Sequence, residues 1–193
     1  ATGVLTLSGA DTLAAYQVAL RSVTYQNTSE NPTTATRTVS FSVSDGALTS
    51  NSATRDIAIA AVNDAPVLGS IEAAPLAYTE NDPATPITTA LTVSDVDSPN
   101  LVSATVSVSA NYVNGEDVLA FTNTANITGA WNAATGVLTL SGADTLAAYQ
   151  AALRSVTYLN ISDNPSTSTR TVSFAVSDGT LGSNIATRDI TVA

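Results

Sequence analysis

Residues 1–60 recur as residues 134–193, and this duplication constrains the chain more than any other feature. Ala1–Gln17 returns without change as Ala134–Gln150, and across the 60-residue overlap 12 positions differ, leaving 48 identical. Most of the exchanges are mild, such as Glu30 for Asp163 and Ile59 for Val192. A fixed period, here 133 residues, marks an array in which each unit meets its neighbours in line. The chain is therefore expected to be an excerpt of a longer tandem protein. In that reading 62–193 is one complete unit and 1–61 is the C-terminal part of a preceding one. A circularly permuted unit spanning 1–133 contains the same set of strands and stays open as an alternative register. Either way, residues 1–60 hold only part of a core and should not bury enough apolar surface to be secure alone.

The chain has no cysteine, methionine or histidine. Disulfides, thiol chemistry, imidazole ligands and the usual neutral-pH general base are thereby removed. Its six cations are all arginines: Arg21, Arg37 and Arg55, with their repeat partners Arg154, Arg170 and Arg188. Residues 61–133 carry eight carboxylates and no cation, so that stretch has a formal charge of −8 within a total of −10. Such a field repels phosphate backbones, which argues against a nucleic-acid partner. No apolar run reaches membrane-spanning length, so no membrane insertion is expected in this segment. Serines are plentiful, but there is no histidine to activate one and no Gly-x-Ser-x-Gly elbow. The adjacent pair Glu116-Asp117 should point to opposite sides of a strand instead of facing each other across a cleft. No catalytic residue is assigned, and an enzyme is the weakest reading.

Apolar residues alternate with small hydroxyl residues through most of the unit, the period of two that a sheet with one buried face requires. In Thr171–Ser177, Val172, Phe174 and Val176 should face inward, with Asp178-Gly179 turning the chain. Ala104–Ala110 shows the same pattern. Shorter strands are expected over 76–79, 87–94, 118–122, 137–141, 155–159 and 186–192, with a hairpin turn at Asn132–Gly136. One helix is predicted over Asp144–Leu153, capped by Asp144, with Tyr149 and Leu153 on its buried face. The pattern predicts an all-β fold of tandem antiparallel Greek-key sandwiches with one short helix per repeat.

Four acidic spots stand out: Asn63-Asp64 at the boundary, Glu80-Asn81-Asp82, Asp95-Val96-Asp97, and Asp178-Gly179. Calcium takes about six to eight oxygens from carboxylates, amides, carbonyls and water, and these segments offer that kind of ligand. Turn chemistry alone also favours Asp and Asn at such places. Val62-Asn63-Asp64-Ala65-Pro66, followed by Glu80-Asn81-Asp82-Pro83, Asp95-Val96-Asp97 and the late hairpin Val176–Gly179, resembles in order the cadherin-like repeats of animal adhesion proteins and long bacterial surface adhesins. The resemblance implies that Asn63, Asp64, Asp95, Asp97 and Asp178 gather calcium where the preceding unit ends. It implies that Glu80 lies at the opposite end, serving the next junction. The doubled acidic motif of the animal proteins is reduced here to one carboxylate, Glu30 or Asp163.

The function expected from these features is an extracellular, cell-surface module that builds a stalk, filament or sheath. Its partners would be neighbouring repeats, end to end, with calcium stiffening the junctions. A carbohydrate-binding module is the alternative, with a polysaccharide or cell surface as partner, and it would need an exposed, coplanar Trp131 and Tyr112.

Overall fold

The computed structural model describes residues 3–193. In chain order its elements are α1 (Leu13–Arg21), β1 (Arg37–Phe41), β2 (Ala53–Ile57), β3 (Val67–Gly69), β4 (Leu76–Tyr78), β5 (Thr85–Pro86), β6 (Thr92–Ser94), β7 (Asn100–Ala110), β8 (Asp117–Ala120), β9 (Thr128–Asn132), β10 (Val137–Thr145), α2 (Leu146–Ser155), β11 (Thr157–Asn160), β12 (Arg170–Ser177) and β13 (Ala186–Val192). Strands dominate and the sheets pack together in a sandwich-like, all-β arrangement. One sheet has the order β4-β13-β12-β7-β10-β9; the smaller ones are β5-β11-β8 and β3-β6, with β1-β2 separate. All pairings are antiparallel except β13 with β4, which is parallel, a departure from the all-antiparallel expectation. Among the described residues no helix is long and apolar enough to cross a membrane.

The buried core runs from Leu68 to Val192 and contains no residue of the first copy. In β12 the alternation is complete: Val172, Phe174 and Val176 are buried, while Thr171, Ser173 and Ser177 are half-exposed. β13 spans the predicted 186–192. Of the strand expected over 87–94, only Thr92–Ser94 forms; a short β5 precedes it, and Ile87 and Leu91 enter the core from irregular backbone. Helix α2 starts two residues later than expected. Its N-cap is Thr145, whose hydroxyl accepts from the N–H of Ala148, and Asp144 instead accepts from the N–H of Thr145. A hydroxyl at the cap and a carboxylate just outside satisfy the first turn together. Tyr149 and Leu153 are fully buried, as predicted. Arg154 on this helix donates to the carbonyls of Leu91 (2.7 Å) and Ala90 (3.1 Å), tying it to the front half of the unit.

The two copies differ in one systematic way. Helix α1, its Thr12 cap and the β1-β2 hairpin reproduce α2, Thr145 and β12-β13, down to the bond from Tyr16 Oη to the Gly9 carbonyl that matches Tyr149 to Gly142. Residues 4–12 and 24–27, the counterparts of β10 and β11, form no strand. A helix satisfies its backbone within one segment, whereas a strand must borrow donors and acceptors from a neighbour. In the complete copy those neighbours are β7 and β9 for β10, and β5 and β8 for β11. All of them lie in 61–133, whose strands pair with the second copy and not with the first.

Candidate functional site

Three loops meet where residues 61–64 lead into β3. The boundary segment contributes Asn63 and Asp64, the β6–β7 loop contributes Asp95 and Asp97, and the turn after β12 contributes Asp178. Asn63 Nδ2 donates to Asp178 Oδ2 at 2.7 Å, and the N–H of Asp64 donates to Asp97 Oδ2 at 3.2 Å. Asp95 Oδ1 accepts from the N–H groups of Asp97 (3.1 Å) and Ser98 (2.9 Å), curling the Asp95–Ser98 loop on itself. Asn63 Oδ1 receives a long contact from Ser98 Oγ at 3.4 Å. The structure therefore brings together five of the six residues singled out from the sequence.

Each acidic side chain of the β6–β7 loop uses one oxygen to hold backbone and leaves the other unused. Asp95 Oδ2 and Asp97 Oδ1 are buried atoms without a hydrogen-bond partner. Leaving a carboxylate oxygen desolvated and unpaired is costly, and two of them on residues 95 and 97 add mutual repulsion. Burial, followed by the hydrogen-bonding and charge of Asp95 and the charge of Asp64, raises the Asp97 carboxyl above the ordinary aspartate value. Asp178 shifts the other way. The amide of Asn63, then the N–H groups of Leu181 and Thr180, stabilise its charged form and lower its carboxyl. Both Asp178 oxygens are thereby occupied, so it fixes the orientation of Asn63.

Two partnerless carboxylate oxygens fit a hard cation. Among the described residues no three acidic side chains form a group that could hold a metal ion, so a cation here would need neutral oxygens, of the kind amide and backbone carbonyls supply, to complete its shell. The first copy touches this place: Asn31 Nδ2 donates to the Val96 carbonyl, between the two aspartates, at 3.3 Å. Asn31 follows the acidic Glu30.

Glu80 stands apart. Its N–H donates to the Ala193 carbonyl at 2.7 Å, beside the end of β13. β13 starts near the Asp178 turn and runs seven residues away from it, a span of about 20 Å. That places Glu80 at the opposite end of the sheet.

The sequence reading missed one polar centre. Glu116 and Asp117 do not diverge: both reach Arg170, with Glu116 Oε2 3.2 Å from Nη2 and Asp117 Oδ1 3.2 Å from Nε. Glu116 lies in a turn ahead of β8, so strand alternation does not separate the two. Tyr158 Oη (2.6 Å) and Asn160 Nδ2 (3.1 Å) also donate to Asp117, and burial together with that bond pushes the Tyr158 phenol up. The Tyr112 and Trp131 rings are 6.1 Å apart at 78°, edge to face, and do not form a coplanar platform.

Comparison of the chain with family models, curated proteins and solved structures returns no match.

Proposed function

We propose that the chain is part of an extracellular tandem-repeat protein in which cadherin-like Greek-key sandwiches follow one another end to end as a stalk, filament or sheath, stiffened by calcium where units join. The observation that carries this reading is the pair of buried, partnerless oxygens on Asp95 and Asp97, set beside the boundary segment, with Asn31 of the first copy bonded to the Val96 carbonyl between them. Asn63, Asp64, Asp95 and Asp97 would hold the ion, with Asp178 orienting Asn63. When bound, calcium would neutralise the carboxylates that repel one another in its absence and draw the two copies onto a common centre.

Melting curves with calcium and with a chelator test it. Saturation at about 100 times the dissociation constant stabilises by about 2.7 kcal/mol, which raises the melting temperature of a chain this size by about 5–10 °C. Superimposable curves would sink the reading.

A further inference from the structure

We infer that Asn114-Gly115, in the turn ahead of β8, is a self-modification site: the Gly115 nitrogen displaces ammonia from the Asn114 side chain, and the isoaspartyl product loosens the buried centre around Asp117 and Arg170. This rests on neither the tandem reading nor the calcium reading.

Asn114-Gly115 is the chain's one Asn-Gly pair. Bonds from the N–H groups of Glu116 (3.1 Å) and Asp117 (3.0 Å) to the Val113 carbonyl close the turn, with φ of +90° at Gly115. Both residues of the pair are exposed, and among the described residues neither the Asn114 amide nor the Gly115 N–H has a hydrogen-bond partner. A Cβ built on Gly115 would meet nothing within 4 Å, so the approach to its nitrogen is open. The two Asp-Gly turns show the protected alternative. There the N–H groups of Gly46 and Gly179 donate to the Ser44 and Ser177 hydroxyls at 3.1 Å. The carboxyl of Asp45 is lowered by the N–H groups of Leu48 and Ala47, and that of Asp178 by the Asn63 amide and the N–H groups of Leu181 and Thr180. Both therefore stay as carboxylates, which resist a nucleophile. Asn31 and Asn164 precede prolines, which have no N–H to attack with.

The reaction needs only water. Hydroxide takes the Gly115 N–H proton, the nitrogen bonds to Asn114 Cγ, and the Cγ–Nδ2 bond breaks; Nδ2 takes a proton from water and leaves as ammonia. The product is a cyclic succinimide. Water opens it at the Cγ–N bond, giving aspartate with the ordinary linkage, or at the bond between the Asn114 main-chain carbonyl carbon and the nitrogen, giving isoaspartate, in which the chain runs through Cβ and Cγ. Isoaspartate lengthens the main chain by a methylene inside a closed turn. The Val113 carbonyl takes both closing bonds, and the Val113 N–H donates to Asp117 Oδ2 at 2.8 Å. Glu116 is fixed by its carbonyl to the N–H of Ile161 (2.8 Å) and by Oε2 to Arg170. The longer chain cannot keep the Val113 bonds and the Arg170 bonds together.

The test incubates the full chain, folded, at mildly alkaline pH and maps it against a zero-time control. A chymotryptic peptide over 113–121 contains Asn114 as its single asparagine. It is expected to gain about 1 Da, and to do so at least about tenfold faster than peptides carrying any other asparagine. Gly115→Ala should slow the gain at least about tenfold, in the folded chain and in urea. The isoaspartyl form, separated by anion exchange and identified by electron-transfer fragmentation, should exchange the amides of 117–120 and 157–160 at least about tenfold faster than the fresh chain. Asn114→Asp, with the same charge and the ordinary linkage, should stay within about threefold of the fresh chain. No gain at Asn114 over a period in which the urea-unfolded chain converts fully would overturn the proposal. So would an unchanged rate in Gly115→Ala, or an isoaspartyl chain that exchanges as the fresh one does. Equal loss of protection in Asn114→Asp would also overturn it, by assigning the loosening to charge instead of linkage.

Discussion

Arg170 Nε lies 3.2 Å from both carboxylate oxygens of Asp117, and neither side chain is reached by solvent. A buried ion pair holds only when its remaining lone pairs and protons are used. Here Tyr158, Asn160 and the N–H of Val113 complete Asp117, while the carbonyls of Ser166 and Ser168 and the carboxylate of Glu116 complete Arg170. Arg37 occupies the same sequence environment without any of those acids.

Breaking the pair should therefore separate the two copies. Asp117→Asn leaves the buried guanidinium with only the partly exposed Glu116 carboxylate to balance it and is expected to cost about 3 kcal/mol. Arg37→Ala is expected to change the main transition by less than about 0.5 kcal/mol. Urea unfolding of both variants measures the difference, and equal costs would contradict the asymmetry.

Calcium should reverse the sign of a second substitution. The Asp97 carboxyl is raised by burial and by its acidic neighbours, so its contribution to stability is present below its unfolded value of 3.8 and is lost as pH rises through the raised folded value. At neutral pH without metal, Asp97→Asn removes that unfavourable charge, and the melting temperature should stay level or rise. With calcium the same variant should lose most of the ion-dependent gain, because one of the two open oxygens becomes an amide. For the unsubstituted chain the calcium-dependent gain should shrink as pH falls through the raised Asp97 value. A variant that falls equally with and without calcium would assign Asp97 a structural role only.

How much of this was legible follows from the parity of particular strands. Val172, Phe174 and Val176 announced the inner face of β12, and Arg170 sits on the same parity two residues before Val172. The rule that marked the three apolar residues as buried also marked the arginine. Asp117 shares parity with Leu119 in β8, where both are buried. Parity alone does not single out either residue, because a charge is stable on an inner face only beside a partner, and the partner here lies 53 residues away. The meeting of Asn63, Asp95, Asp97 and Asp178 came from the order of motifs and their resemblance to a family, since no local pattern brings residues 115 apart to one place. The irregular path of Ile87–Leu91 was not legible because its course is set by non-local partners. The Thr88 and Thr89 hydroxyls both bond Glu72, and Arg154 holds the Ala90 and Leu91 carbonyls.

That same Glu72 gives an acid limb. Burial disfavours its charge, but the Thr88 hydroxyl, the Thr89 N–H and the Arg188 guanidinium outweigh it and bring the carboxyl down to about 2 from 4.5. A lowered carboxyl contributes stability above its unfolded value, and that contribution disappears as pH falls from 4.5 toward 2. Glu72→Gln should cost about 1–2 kcal/mol at neutral pH and flatten the stability profile in that window. Chemical denaturation between pH 2 and 6 compares the slopes, and parallel profiles would remove Glu72 from the acid limb.

The paired glycines test whether local or long-range contacts set the cost of a side chain. Gly9 and Gly142 have φ of +134° and +125°, so alanine strains the backbone at both. At Gly142 the added Cβ also lands 1.9 Å from the Asn126 carbonyl, where β10 breaks register between Ser141 and Asp144. Backbone cannot yield there without pulling β10 from β9. Gly142→Ala is therefore expected to cost about 3 kcal/mol or more in the main transition. Gly9→Ala carries only the conformational term of about 1 kcal/mol, spent in a segment outside the core, so the main transition should not move. Equal costs would mean that long-range contacts do not set the difference.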